Sequence, residues 1–134
     1  MPGQYSDLLL DHFRNPRNLG SLEAPDVSHE CFNPLCGDRI RIELRLSGDK
    51  VQAARFQGDG CAISVASASI LTQYIVGSDI AGGETISDEQ LLSSLKSEIK
   101  PARVKCALLP LEALRSGLRL YFERVNRDGQ SLQE

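Results

Sequence analysis

Residues 39–46 run Arg-Ile-Arg-Ile-Glu-Leu-Arg-Leu, eight positions in which apolar and charged side chains alternate without a break. Successive side chains of an extended chain point to opposite faces, so Ile40, Ile42, Leu44 and Leu46 line one face and the charges line the other. A helix could not gather those four residues on a single stripe, and the segment is predicted to be a half-buried antiparallel strand. Ser47-Gly48-Asp49-Lys50 supplies turn residues, after which Val51 to Gln57 returns as the second arm of a hairpin. Val27 to Phe32 is expected as an edge strand of the same sheet, reached through a loop marked by Pro16, Asn18, Gly20 and Pro25.

The remaining segments have a helical period. Tyr5, Leu8, Leu9, His12 and Phe13 predict a short helix over 4–14, stopped at Asn15-Pro16 because the proline ring disfavours the α region before it. Ile63, Ala66, Ile70, Leu71, Tyr74 and Ile75 predict a second helix from Ala62, closely packed through its small residues and ended by Gly77. Ser78 to Thr85 is expected as Gly-rich loop, followed by a helix to about Ile99 with Ser87 as N-cap. A final helical stretch from Pro101 to about Val125 should fall into two pieces at Pro110, and residues 126–134 should fray. The order predicts an α+β fold, a three-stranded antiparallel sheet with helices packed on one face, in a single domain over 1–134.

Composition narrows the function classes. The chain has 15 Lys and Arg against 18 Asp and Glu in 134 residues, with the cationic residues dispersed, so it offers no field for a nucleic-acid backbone. No window approaches the ~18 consecutive apolar residues that cross a bilayer, and the N-terminus lacks the basic-then-apolar order of an export signal. Cys31, Cys36, Cys61 and Cys106 are too few and too dispersed for a disulfide-stapled miniprotein. A cytoplasmic location is expected, where thiols in polar, Gly-rich settings serve as metal ligands or reactive groups.

Three of these cysteines fall at breaks between predicted elements. Cys36 precedes the alternating strand, Cys61 follows Gly58-Asp59-Gly60 at the start of a helix, and Cys106 lies between the two C-terminal pieces, none on a predicted core face. A helix start favours the thiolate, the form that binds metal or attacks sulfur. Asp38, two residues beyond Cys36, can add a carboxylate to the set. Three thiolates and one carboxylate suit tetrahedral Zn²⁺, and three thiolates with a fourth ligand also suit a [2Fe–2S] cluster. On spacing alone, buried structural thiols are the alternative.

At Asn33 to Asp38, Gly60-Cys61-Ala62-Ile63-Ser64 and Lys105-Cys106-Ala107-Leu108-Leu109, the chain resembles the IscU/SufU family of iron–sulfur cluster assembly proteins, as does Leu10 to Gly20 at its N-terminus. The resemblance implies that Cys36, Asp38, Cys61 and Cys106 form the family's shared site, holding zinc or a transient [2Fe–2S] cluster. It implies a cysteine desulfurase as sulfur donor and apo iron–sulfur proteins or carriers downstream. The thiols of Cys36, Cys61 and Cys106 would carry the chemistry, either together on an assembly scaffold or in a zinc-dependent sulfurtransferase, in which Cys36 is favoured as acceptor. A structural zinc domain that mediates contacts is the alternative. Lys105 precedes the third cysteine, as in Suf-type members, where Isc scaffolds have His. Its charge can tune the neighbouring thiolates. The interval from Cys61 to Cys106 is short, as in Isc scaffolds.

The other polar residues have plainer expectations. Cys31 should be a small apolar filler on its strand. His12 is expected at a helix surface or core edge and His29 at the surface, while Arg55 and Arg103 should be solvated.

Overall fold

The computed structural model describes residues 5–133, with side chains through Arg127. The alternating segment is β2 (Asp38–Ser47), flanked antiparallel by β1 (Val27–Asn33) and β3 (Lys50–Asp59) in the order β1-β2-β3. Ile42 pairs with His29 on one side and Phe56 on the other, and a bulge between Arg45 and Leu46 shifts the β3 register near the hairpin turn. Ile40, Ile42 and Leu44 are at most 1% exposed, as the alternation requires, and form the core with Phe56, Leu71, Leu111 and Leu114.

Helices cover that face. α1 (Asp7–Arg14) is capped by Ser6, whose hydroxyl accepts from the Leu9 amide. α2 (Ala62–Ile75) follows β3 and packs against α1, β3 and the long C-terminal helix α5 (Val104–Gln133). Its small polar residues permit that close approach because each finds a partner. Ser67 Oγ donates to the Ala107 carbonyl at 2.6 Å, Ser69 Oγ accepts from the Arg17 amide, and Thr72 bonds back to the Ala68 carbonyl. His12 is buried rather than superficial, with Nδ1 2.7 Å from Ser69 Oγ.

Four expectations are corrected. The stretch expected as Gly-rich loop contains α3 (Ile80–Thr85), because a Cβ on Gly83 would stand 3.1 Å from Leu118 of α5. Glycine there serves close helix packing, and Ile80 anchors the turn in the core. α4 (Asp88–Ser94) starts at the Ser87–Gln90 capping box as expected. It ends five residues before Ile99, since Leu95 is fully buried and its carbonyl accepts from Ser6 Oγ, while Lys96 turns into the left-handed region.

α5 is one helix with Pro110 inside it, not two pieces. The proline removes one backbone donor, that to the Cys106 carbonyl, but the flanking turns are held by Leu109 and Leu111, both at most 2% exposed. Residues 126–133, expected to fray, continue that helix, since each added residue of an established helix closes one more hydrogen bond. Pro101–Arg103 forms a 3₁₀ turn before it. Among the described residues, no helix is long and apolar enough to cross a membrane.

Candidate functional site

Three chain segments meet at one end of the sheet. The first is the loop joining β1 to β2, where Asn33 pairs with Asp38 and the Gly37 amide bonds to the Asn33 carbonyl at 2.8 Å. Gly37 has φ +78°, a conformation that glycine adopts freely. The Asn33 side chain accepts from the Leu35 amide, which props the loop so that Leu35 and Cys36 face solvent. The second segment is the β3–α2 junction, with Cys61 at the N-cap of α2. The third is the start of α5, with Cys106 in its first turn. Two helix N-termini therefore bring positive partial charge to one place.

Cys36 Sγ, Cys106 Sγ and a carboxylate oxygen of Asp38 all lie within 4.8 Å of one another, with the two sulfurs 3.4 Å apart. Cys61 stands beside this trio, its thiol interacting with Asp38 and Cys106 and lying 3.6 Å from Ser64 Oγ. Cys36 is exposed, Cys61 is partly buried, and Asp38 and Cys106 are buried. Cys106, expected off the core, is 1% exposed and packs with Leu9, Ile63, Ala66, Leu95 and Ala107, since the first turn of α5 is wedged beneath α1 and α2.

Burial pushes the Cys106 thiol up to about 12, reinforced by its hydrogen bond to Cys36 and by negative charge on Cys61 and Cys36. Burial also acts to raise Asp38, but hydrogen bonds from Ser64, Cys61 and Cys36 outweigh it, so its carboxyl lies below the usual value. An ionised carboxylate crowded against three sulfurs, with the Cys106 proton held tightly, is a donor set short of positive charge. Soft sulfur with one oxygen fits Zn²⁺, whose charge would let the thiols ionise together.

A cavity of about 370 Å³ opens over Cys36 and Cys106, lined also by Asn33, Leu35, Ala102, Arg103 and Lys105. Lys105 is exposed at this mouth. Arg103 also lines it, exposed as expected but beside the thiols, a placement that sequence did not give it. Its guanidinium is raised by the negative charge of Cys61 and by a hydrogen bond to Cys106. The signal available in sequence was its spacing of three from Cys106, which places both on one side of a helical turn. A larger cavity of about 450 Å³ between α2 and α4, walled by Ile70, Leu71, Tyr74 and Leu91, contains none of the cysteines; the chemistry lies with the smaller one.

Cys31 and the histidines stand apart. Cys31 packs against the core from β1, and burial raises its thiol above the ordinary value, with Glu112 adding to the effect. His29 is half-buried on β1 and His12 faces Ser69. Nothing in the sequence marks Ser64, yet it lies in the middle of the site and donates to Asp38 Oδ2 at 2.9 Å.

Fold and site together define a small α+β protein that presents clustered thiols and a carboxylate where chain elements end. Residues 4–128 match the family described as the NifU-like N-terminal domain, and the chain belongs to that family. It is 40% identical to the zinc-dependent sulfurtransferase SufU of Bacillus subtilis (strain 168), the match covering 85% of this chain and 88% of that protein. It is 33% identical to the iron–sulfur cluster assembly scaffold protein IscU of Azotobacter vinelandii, covering 87% and 93%. A solved structure from the thermophilic Fervidobacterium islandicum AW-1, described as a candidate iron–sulfur cluster assembly scaffold for the SUF system, superposes with a TM-score of 0.71. It is 27% identical and the match covers 85% of this chain and 96% of that one.

Proposed function

We propose that this chain acts in iron–sulfur cluster biogenesis as a zinc-dependent sulfur-transfer protein that accepts persulfide sulfur from a cysteine desulfurase. The observation that carries the reading is the exposed Cys36 thiol 3.4 Å from the buried Cys106 thiol, with the Asp38 carboxylate beside both. Cys36, Asp38, Cys61 and Cys106 would hold the ion, which when bound keeps the thiols as thiolates. Similarity to a zinc-dependent sulfurtransferase supports the same reading.

The chain's own residues account for the transfer. Cys36, at the tip of its loop, is the acceptor because a donor can reach it, whereas Cys106 lies beneath the surface. Its thiolate attacks the outer sulfur of the donor's persulfide. A new S–S bond forms on Cys36, the donor's S–S bond breaks, and the donor cysteine leaves as a thiolate. The sulfur keeps its oxidation level and no free sulfide is released. Arg103 and Lys105 attract the anionic persulfide to the mouth. Downstream apo iron–sulfur proteins or carriers would take the sulfur onward. Four free thiols suit a reducing compartment such as the cytoplasm.

The experiment is anaerobic. The zinc-loaded chain is mixed with a cysteine desulfurase and cysteine, persulfide is followed by mass spectrometry, and visible absorbance is read after Fe²⁺ is added. Persulfide on Cys36 with zinc retained and no colour supports the sulfurtransferase. Zinc loss with a rising visible spectrum would replace it by an assembly scaffold. Neither response would leave a structural zinc domain.

A further inference from the structure

We infer that Ser64 is a positioning residue of this site, tying Asp38 to Cys61 through one hydroxyl and fixing the carboxylate's orientation toward Cys36 and Cys106; the inference rests on the zinc-binding reading above. Ser64 is 0% exposed in the first turn of α2. Its Oγ lies 2.9 Å from Asp38 Oδ2, 3.2 Å from the Cys61 carbonyl and 3.6 Å from Cys61 Sγ. A hydroxyl has a single proton to donate and two lone pairs with which to accept. Donation to the carboxylate is the charge-assisted choice and the shorter contact, which leaves the lone pairs turned to the Cys61 thiol.

An ordinary helix serine or threonine bonds back to its own helix. Thr72, on the same helix, does so, donating to the carbonyls of Ala68 and Ser69. Ser64 also stands 3.2 Å from the carbonyl three residues back, but its shorter contact reaches another element, to a residue 26 positions away in sequence. The space for its hydroxyl is also reserved. A Cβ on Gly60 would fall 2.3 Å from Ser64 Oγ and 3.3 Å from Ser64 Cβ, so any side chain at position 60 would displace the hydroxyl.

A ligand whose orientation is unsupported loses preorganisation. Removing such an outer hydrogen-bond partner typically weakens metal binding by about 10- to 100-fold. Ser64 would thus make the Asp38 oxygen available at a fixed place, and would hold Cys61 in register with it before the ion arrives.

The test is zinc affinity by chelator competition on Ser64→Ala, Asp38→Ala and the double variant, with the metal-free thermal midpoint of each recorded. Ser64→Ala is expected to lose about 10- to 100-fold in affinity, and the double variant to bind zinc no more weakly than Asp38→Ala alone. The Co²⁺-substituted Ser64→Ala protein is expected to keep its thiolate-to-metal absorption while its ligand-field bands shift. Gly60→Ala gives a second route that leaves the serine in place. It should weaken zinc binding in the otherwise unmodified chain and have a much smaller effect when Ser64 is already Ala, where only the 3.3 Å Cβ contact remains. Unchanged affinity in Ser64→Ala, or losses that multiply in the double variant, overturns the positioning role. Failure of the unmodified chain to bind zinc overturns both this inference and the reading beneath it.

Discussion

Zinc uptake at this site should be linked to proton release, and Cys106 sets a floor on the linkage. Its thiol is pushed up to about 12 by burial and by the neighbouring sulfurs, so it is fully protonated at any pH where the protein would work. Five pH units below that value, the thiolate lies on the order of 7 kcal/mol uphill. Structural zinc sites in small peptides deliver about 10–16 kcal/mol, so the ion can displace this proton and still bind. The sign follows directly. The metal-free chain carries the proton and the zinc-bound chain does not, so raising the pH favours binding. Below both the ordinary and the raised value, Cys106 alone contributes a full proton, or about tenfold in apparent affinity per pH unit. Chelator competition at several pH values between 6 and 8.5 measures the slope, and calorimetry in buffers of different ionisation enthalpy counts the protons. Cys106→Ala should lower both affinity and slope, the slope by about one proton. A slope below one in the unmodified chain, or one that Cys106→Ala leaves intact, would refute the reasoning.

Three further outcomes are expected. Metal removal by chelation should leave the far-ultraviolet circular dichroism intact, because the Ile40, Ile42, Leu44 and Phe56 core lies outside the site. At zinc a hundredfold above its dissociation constant, the melting temperature should fall by about 10 °C on chelation, and outright unfolding would favour the structural zinc domain. Burial and the Arg17 charge hold His12 below its ordinary value of 6.5. The folded state therefore resists a proton that the unfolded chain takes up, and stability drops as pH falls from 6.5, by at most about 1.4 kcal/mol per unit. Urea midpoints against pH should show that slope, and His12→Gln should flatten it. Arg103→Ala should slow persulfide acceptance by roughly two- to fivefold at low salt, with the difference vanishing at 1 M salt. A deficit independent of salt would contradict an electrostatic role.

The parts of this molecule that were legible in sequence are those in which one local period decides burial. The β2 alternation needs no knowledge of the rest of the chain, since period two admits a single buried face, and the Ser87–Gln90 cap closes within one turn. Where tertiary contacts decide, local rules pointed the wrong way. Gly82-Gly83 looks like loop until Leu118 is placed 3.1 Å from where a Cβ would stand, and Pro110 looks like a break until both flanking turns are buried.

The site divides along the same line. Its cysteines stood out because thiols beside glycines at element ends have few other uses, but their partners carry no comparable mark. Ser64 is one of several buried hydroxyls on α2, and only the arrival of Asp38 from 26 residues away distinguishes it from Thr72. Arg103 is one arginine among many until the 3₁₀ turn sets it beside Cys106, itself 70 residues from Cys36. A site built where a hairpin loop and two helix starts converge has its ligands written in the sequence and its supporting contacts written in the packing. That packing holds Asp38 ionised and Cys106 neutral before any ion arrives, and so determines how many protons a metal must displace.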